Sequence, residues 1–162
     1  MLTIFQAESP SQIILARELM LEYARRLEFN LCFQGFAEEL RKLPGEYGPP
    51  RGRLLLAFSD NDAAGLCGLR PLKDAAACEM KRLYVRPDFR GRSVGRALVS
   101  RLIAEACVIG YNYMRLDTIP GQMDRAIALY REFGFKETGP YYGTPLKQTM
   151  FMELELHPGF PG

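Results

Sequence analysis

The sequence has few of the residues that metal sites and cysteine chemistry require. Its 162 residues include a single histidine, His157, close to the end of the chain. Four cysteines are present, and no two of them form a CxxC pair: Cys32, Cys67, Cys78 and Cys107. Zinc sites and Cys-His catalytic pairs need such clusters, so neither is indicated and no metal ligands are predicted. The cysteines are interpreted as ordinary core or surface residues.

Long apolar segments are also missing. No run approaches the roughly 18 apolar residues that a membrane-spanning helix needs. The start of the chain, MLTIFQAESPSQ, lacks the basic region and long apolar region of a secretion signal. Hydrophobic residues make up 48% of the chain and charged residues 25%. These features predict a cytoplasmic protein that forms one domain over residues 1–162 and does not bind membranes.

Charge is nearly balanced over the whole chain but not locally. The formal net charge is +2, yet residues 81–101 contain seven basic residues and one acidic residue. This local charge of +6 leaves −4 for the remainder and favours an anionic ligand at the basic segment. Nucleic acid is disfavoured as that ligand, because the sequence pI is 8.4 and nucleic-acid-binding domains generally exceed about 9.

Periodicity and turn signals predict the element order β-α-α-β-β-β-α-β-α-β-β. The predicted strands are 2–7, 53–59, 63–69, 78–85, 113–118, 135–138 and 149–156. Ser9 and Gln12 form a capping box before a first helix whose apolar face is Ile13, Ala16, Met20, Tyr23 and Leu27. Further helices are predicted within 35–43, 94–109 and 121–133, and Gly110 and Gly134 end the last two. This order indicates an α+β (mixed α/β) domain.

The stretch VRPDFRGRSVGRAL, residues 85–98, joins a strand to a helix through a basic, glycine-containing loop. The start of a helix offers unpaired N–H groups and the positive end of the helix dipole, which together suit a phosphate. The Walker pattern GxxxxGK and the dinucleotide pattern GxGxxG are both absent from this loop. The loop is therefore predicted to hold phosphates, but not in either of these two common ways.

The segment EMKRLYVRPDFRGRSVGRAL resembles the central motif of the GNAT superfamily of N-acetyltransferases. Arg90 takes the first position of the family pattern, Ser93 stands where a glycine is usual, and Gly95 takes the last position. The later segments LDT, AIALYREFGF and FMELEL extend the resemblance over about residues 53–156. It implies a mixed, mostly antiparallel twisted sheet of about seven strands with about four helices. Two neighbouring parallel strands of this sheet are expected to splay apart around coenzyme A.

The resemblance also implies acetyl-coenzyme A as the cofactor. The pantetheine would pair with the strand main chain, and the pyrophosphate would lie on the loop. The coenzyme-binding residues implied are Leu83, Tyr84, Val85, Arg90, Gly91, Arg92, Ser93, Val94, Gly95 and Arg96. Ser93 is expected to replace the glycine if its dihedral angles are helical. Arg82, Arg86 and Arg101 are expected to be solvated.

Acyl transfer to an amine needs a base, because an alkylammonium group has a pKa of about 10.4. Glu79 is the candidate base, directly or through water, and the resemblance agrees; alternation predicts one face for Glu79, Lys81, Leu83 and Val85. The alternative interpretation of Glu79 is a solvated strand residue that pairs with Lys81 or Arg82. The N–H of Leu83 is a candidate oxyanion donor. Tyr130 matches the family tyrosine that protonates the thiolate, and the alternative for it is a core aromatic residue.

These residues predict an N-acetyltransferase that acts by direct transfer in a ternary complex, because no cysteine is placed to form an acyl-enzyme. A non-catalytic acyl-coenzyme A sensor or scaffold is the alternative function. The acceptor stays open among small amines, amino acids, antibiotics and protein amines, as does the choice between monomer and homodimer. Candidates for an aromatic acceptor pocket are Phe29, Phe33, Phe36, Tyr141 and Tyr142, and the alternative for the three phenylalanines is ordinary core packing. The carboxylates Glu28, Glu38 and Glu46 are too scattered to rank as amine-binding groups.

Overall fold

A computed structural model describes residues 1–27 and 35–157 and contains the elements in the predicted order. The strands are β1 (Leu2–Gln6), β2 (Arg53–Ser59), β3 (Asp62–Pro71), β4 (Ala77–Val85), β5 (Tyr113–Thr118), β6 (Lys136–Thr138) and β7 (Met150–Glu155). The α-helices are α1 (Pro10–Arg25), α2 (Phe36–Lys42), α3 (Val94–Ile109) and α4 (Asp124–Phe133). Short 3₁₀ turns cover Gly45–Tyr47 and Pro87–Phe89.

The predicted boundary signals are observed at the start of α1 and at the ends of α3 and α4. The Ser9 hydroxyl accepts the Gln12 N–H at 3.2 Å, and the Gln12 side chain accepts the Ser9 N–H at 3.0 Å. The capping box is therefore confirmed. Gly110 and Gly134 end α3 and α4 in left-handed conformations, as predicted. Leu27, predicted on the face of the first helix, lies beyond the end of α1.

The seven strands form one mixed sheet in the order β1-β2-β3-β4-β5-β7-β6. Every neighbouring pair is antiparallel except β4 and β5, which are parallel. Helices cover both faces of the sheet. The larger core lies on the α3 side around Leu98, Leu102 and Met114, and the smaller core packs α1 against Leu54 and Leu56. The predicted α+β fold is confirmed. Within the described residues, no helix has the length and apolarity that crossing a bilayer requires.

The parallel pair β4–β5 opens into a gap. The two strands pair at only three positions: Ala77 with Tyr113, Cys78 with Met114, and Glu79 with Arg115. Beyond these pairs β4 continues to Val85 and β5 to Thr118 without pairing to each other. The splayed parallel strands that the family resemblance implied are therefore present.

A β-bulge in β4 changes which residues share a face of the sheet. The register with β3 runs from Leu66 opposite Tyr84 to Gly68 opposite Lys81, so β4 contains one extra residue. Arg82 has φ 61°, a left-handed conformation that few non-glycine residues adopt. An extra residue in one strand reverses the side-chain alternation that follows it.

The expectation that Glu79, Lys81, Leu83 and Val85 share one face is therefore wrong for the last two. Leu83 and Val85 pack against the core on the α3 side. Tyr84, which alternation had placed opposite them, belongs to the core on the α1 side. The bulge thus separates the predicted base from the strand segment predicted to bind coenzyme, and it places the Glu79 and Leu83 side chains on opposite sides of the sheet.

Candidate active site

A cavity of about 360 Å³ occupies the gap between β4 and β5. One wall is the β4 segment from Met80 to Val85, and the opposite wall is the end of β5 from Leu116 to Thr118. Tyr23 and Arg26 at the end of α1 and Tyr130 of α4 also line it. The main chain of β4 therefore faces a space large enough for an extended ligand, where hydrogen bonds to β5 have stopped. This cavity is called the split cavity below.

The start of α3 lies beside the split cavity. A methyl group on Gly95 would lie 3.7 Å from Val85 Cγ2 and 3.8 Å from Leu129 Cδ2, and Val85 lines the cavity. Arg90, in the preceding loop, also lines it and donates its Nε–H to the Val85 carbonyl at 3.1 Å. The positive end of a 16-residue helix thus adjoins the split. This placement brings the basic loop and the β4 main chain to a single site.

Ser93 precedes α3 in a left-handed conformation, with φ 63° and ψ 21°. Right-handed helical dihedral angles, the condition under which a serine was expected to serve here, are therefore not present. A left-handed conformation costs a non-glycine residue about 1–2 kcal/mol relative to a right-handed one. This cost gives a physical reason for the glycine that is usual here in the family pattern.

Replacing Ser93 with glycine is expected to stabilise the fold by about 0.5–1 kcal/mol, because relief of the left-handed strain exceeds the entropy that glycine gains in the unfolded chain. Urea unfolding of the Ser93→Gly variant measures the change. Ser100→Gly is the matched control, because Ser100 lies within α3 and should lose about the helix penalty of 0.5–1 kcal/mol. A destabilised Ser93→Gly variant would contradict the strain.

Most of the local positive charge is compensated by acidic residues, all but one of them distant in sequence. Five of the seven basic residues form ion pairs: Lys81 with Asp117, Arg82 with Glu39, Arg86 with Glu22, Arg96 with Glu132, and Arg101 with Glu105. Arg82 is only 4% exposed, so the expectation that it is solvated is wrong. Its Nε and Nη2 donate to the two Glu39 oxygens at 2.9 Å each, which ties β4 to α2. Arg90 and Arg92 form no ion pair with a described residue and are the cations with most capacity for a ligand.

Tyr130 is 7% exposed and lines the split cavity from α4. Its ring packs against Phe135 with centroids 5.7 Å apart. Burial raises the pKa of the Tyr130 hydroxyl above its ordinary value, so the group stays protonated at neutral pH. A protonated hydroxyl at this wall can donate a hydrogen bond or a proton to a group in the cavity.

A second cavity of about 550 Å³ lies on the face of the sheet that carries Glu79. Its walls are Arg70, Leu72, Lys73, Asp74, Glu79, Lys81, Arg115, Tyr141 and Tyr142. Lys81 and Tyr142 line both cavities, so the two spaces adjoin at these side chains. This second space is called the polar cavity.

Glu79 is 1% exposed and lines the polar cavity. Arg70 donates its Nε–H to Glu79 Oε1 at 2.9 Å, and the Tyr141 hydroxyl donates to Oε2. The partner of Glu79 is therefore Arg70, and not Lys81 or Arg82 as the alternative interpretation supposed. Two donors fix the orientation of this carboxylate on the wall of the polar cavity.

Asp117 and Lys81 form a polar pair that sequence reasoning missed. Lys81 Nζ lies 3.4 Å from Asp117 Oδ1, across the split between β4 and β5, and the Tyr142 hydroxyl donates to Oδ2. Burial raises the pKa of Asp117, but Lys81 and the hydrogen bonds outweigh it and hold this pKa below its ordinary value. The only sequence signal was alternation, which places Asp117 on the same face of β5 as Arg115.

The predicted aromatic residues divide between two places. Tyr141 and Tyr142 line the polar cavity, and each packs edge-to-face on Phe151 with centroids 5.2 Å apart. Phe36 instead lies against the Arg82 guanidinium, whose central carbon is 5.2 Å from the centroid of the Phe36 ring. Of the carboxylates, Glu46 pairs with Arg70, and Glu38 pairs with Arg41 and Lys42. Phe29, Phe33, Glu28 and Cys32 lie outside the described residues.

Comparison with solved structures first defines the class of fold. An acetyltransferase of the GNAT family from Staphylococcus aureus superposes with a TM-score of 0.79 over 97% of this chain and 100% of that one, at 18% identity. A putative acetyltransferase from Salmonella typhimurium, solved with its cofactor acetyl-CoA, gives a TM-score of 0.66 over 97% and 95% of the two chains, at 22% identity. The fold is that of the GNAT acetyltransferases.

Sequence comparison then assigns the family. The model of the acetyltransferase (GNAT) family matches residues 16–135. A Schizosaccharomyces pombe protein described as an uncharacterized N-acetyltransferase is 36% identical over 156 residues, which cover 96% of this chain and 95% of the relative. The chain belongs to the GNAT acetyltransferase family, and it is an acyltransferase.

Proposed function

We propose that the protein transfers the acetyl group of acetyl-coenzyme A to a primary amine by direct attack in a ternary complex. The observation that carries this proposal is the pair of adjoining cavities, which share Lys81 and Tyr142 as a common wall. One cavity follows the edge of β4 that does not pair with β5 to the start of α3, and the other contains a buried carboxylate. Two substrates bound in the two cavities would meet at the shared wall.

The coenzyme is assigned to the split cavity. The first N–H groups of α3 and the arginines of the Arg90–Arg96 loop suit its pyrophosphate. The β4 main chain at Leu83, Tyr84 and Val85 faces the cavity and suits the amide groups of the pantetheine. Gly95, the second residue of α3, has no side chain and lies beside Val85 of the cavity wall, and a glycine permits close approach of a ligand to the backbone. The Salmonella typhimurium structure was solved with its cofactor acetyl-CoA, which supports the choice of this ligand.

The acceptor amine is assigned to the polar cavity, with Glu79 as the group that receives its proton, directly or through water. An amine must be neutral to attack a thioester, and its pKa of about 10.4 leaves it mostly protonated at neutral pH. Arg70 and Tyr141 orient the Glu79 carboxylate toward this role. Glu79 lies on the face of the sheet opposite to its neighbours Cys78 and Met80, which pack on the α3 side, so attack comes from the face opposite to α3.

The remaining steps need an oxyanion donor and a proton for the thiolate. Leu83 lies next to the bulge, in the part of β4 that does not pair with β5. Its N–H is the candidate donor for the tetrahedral oxyanion. Tyr130 lines the same cavity and is protonated, so it suits the departing thiolate. Cys67 and Cys78 are buried in the core on the α3 side, and burial raises the pKa of both thiols, which disfavours an acyl-enzyme on either residue.

Steady-state kinetics test direct transfer. Thiol release is measured over a matrix of acetyl-coenzyme A and amine concentrations, after a screen of small amines, amino acids and peptides identifies an acceptor. A ternary complex predicts double-reciprocal lines that intersect, whereas an acyl-enzyme predicts parallel lines. Parallel lines, or thiol release at one rate with and without any of the amines, would contradict the proposal.

A further inference from the structure

Lys81 differs from every other lysine of the chain in its surroundings. It is 5% exposed and lines both the split cavity and the polar cavity. The other four lysines, at positions 42, 73, 136 and 147, are exposed. A primary amine is therefore built into the wall at which the two proposed substrates would meet.

Three features of the fold define the position of this amine. Lys81 is next to the bulge at Arg82, where the strand departs from regular pairing with β3. Its Nζ lies 3.4 and 3.5 Å from the two Asp117 oxygens, on the opposite side of the split. Tyr142 holds the same carboxylate and also lines both cavities. The side chain therefore has a defined position at the junction and does not extend into solvent.

The electrostatic surroundings favour the neutral, nucleophilic form of this amine more than water does. Burial lowers the pKa of Lys81, and Arg82 and Arg70 lower it further. Asp117 and Glu79 oppose this change, but the pKa stays below the ordinary lysine value. A larger neutral fraction increases the rate at which an amine attacks a thioester.

From this juxtaposition we infer that Lys81 is itself an acetyl acceptor, so that the enzyme acetylates its own Lys81 when coenzyme is bound and the polar cavity holds no amine. This inference rests on the proposed function. The Lys81 ammonium first loses one proton to solvent. Its Nζ then forms a bond to the thioester carbonyl carbon, the carbon–sulfur bond breaks, and the second proton lost from nitrogen balances protonation of the thiolate. The products are ε-N-acetyl-lysine and free coenzyme A.

Acetylation would change the junction of the two cavities. The amide is neutral, so Asp117 would lose the cation that it now contacts. The amide is also larger than the ammonium, so the acetylated side chain would extend further into the cavities. A buried carboxylate without its partner is strongly unfavourable. Self-acetylation therefore predicts an enzyme whose transfer to added amines slows as Lys81 becomes modified.

Peptide mass spectrometry of the purified full-length protein after incubation with acetyl-coenzyme A alone tests the inference. Because proximity raises the effective concentration of the thioester, acetylation of Lys81 is expected at least about tenfold faster than at any exposed lysine. The Lys81→Arg variant, which keeps the positive charge, should gain no acetyl group at position 81. The Gly95→Glu variant, which is expected to bind the coenzyme poorly, should retain only the slow modification of exposed lysines.

The outcomes separate this inference from the proposed function. Unmodified Lys81 in an enzyme that binds acetyl-coenzyme A and acetylates an added amine would overturn the inference and leave the proposed function intact. Equal rates at Lys81 and the exposed lysines, unchanged by Gly95→Glu, would show chemical acetylation and would also overturn it. Absence of coenzyme binding by calorimetry, with no transfer to any amine, would overturn both.

Discussion

Replacing Gly95 with glutamate is expected to weaken binding of acetyl-coenzyme A at least about a hundredfold, which corresponds to about 2.8 kcal/mol. Gly95 is the second residue of α3, at the positive end of the helix and beside Val85 of the split cavity. A glutamate there would fill the approach to the helix start and would repel the phosphates through its negative charge. Calorimetric titration with acetyl-coenzyme A measures the loss.

Gly95→Ala is the matched control for this prediction. Its methyl group would lie 3.7 and 3.8 Å from Val85 and Leu129, which are ordinary contact distances, so the variant should fold normally. We expect coenzyme affinity to stay within about tenfold of the wild type, since a methyl group adds no charge. Wild-type affinity in a folded Gly95→Glu protein would show that the coenzyme does not approach this helix start.

Replacing Tyr130 with phenylalanine is expected to lower turnover about 10²–10⁴-fold, the usual contribution of a positioned acid or base. The hydroxyl stays protonated because of its burial, and Tyr130 lines the cavity assigned to the coenzyme. Since the ring and its contact with Phe135 are retained, coenzyme affinity should change little. Steady-state turnover and calorimetric affinity, measured on one preparation, separate the two effects.

Tyr111→Phe provides the comparison for loss of a hydroxyl away from the cavities. The Tyr111 hydroxyl donates to the Arg51 carbonyl at 2.7 Å, and this residue lines neither the split cavity nor the polar cavity. This variant should lose some stability and keep its turnover number. A turnover number of Tyr130→Phe that matches Tyr111→Phe would assign Tyr130 to the core alone.

The elements of the fold could be predicted because their signals are local. The capping box at Ser9 and Gln12 and the glycines at 110 and 134 each act within one turn of a helix. The strand of residues 113–118 was predicted with its observed ends, because its apolar and polar residues alternate between core and cavity. The opening between β4 and β5 required the family resemblance, since no residue pattern within either strand shows where their pairing ends.

The arrangement of the site depended on contacts that sequence spacing does not reveal. An unbroken alternation along residues 78–85 predicted one face for Glu79 and Leu83, but the bulge at Arg82 reverses it. The bulge arises from register with β3, and its left-handed residue carries no glycine or asparagine signal. Local periodicity therefore located the strand correctly and assigned its later side chains to the wrong face.

The basic cluster shows the same limit for electrostatics. The sequence shows its net charge of +6. It does not show that Glu39, Glu22 and Asp117 contact the basic residues of this segment in the folded chain. The pairs they form tie β4 and the segment after it to α2, α1 and β5, so these cations stabilise the architecture around the split. Arg90 and Arg92 remain as the arginines best placed to meet a phosphate.

The central claim is that the start of α3 and the edge of β4 that does not pair with β5 bind acetyl-coenzyme A. Amide hydrogen exchange with and without acetyl-coenzyme A tests it most directly, because exchange reports local protection of backbone N–H groups. The account predicts slower exchange in residues 80–85 and 93–96 when the coenzyme is present. Unchanged exchange in both segments at a saturating coenzyme concentration would contradict it.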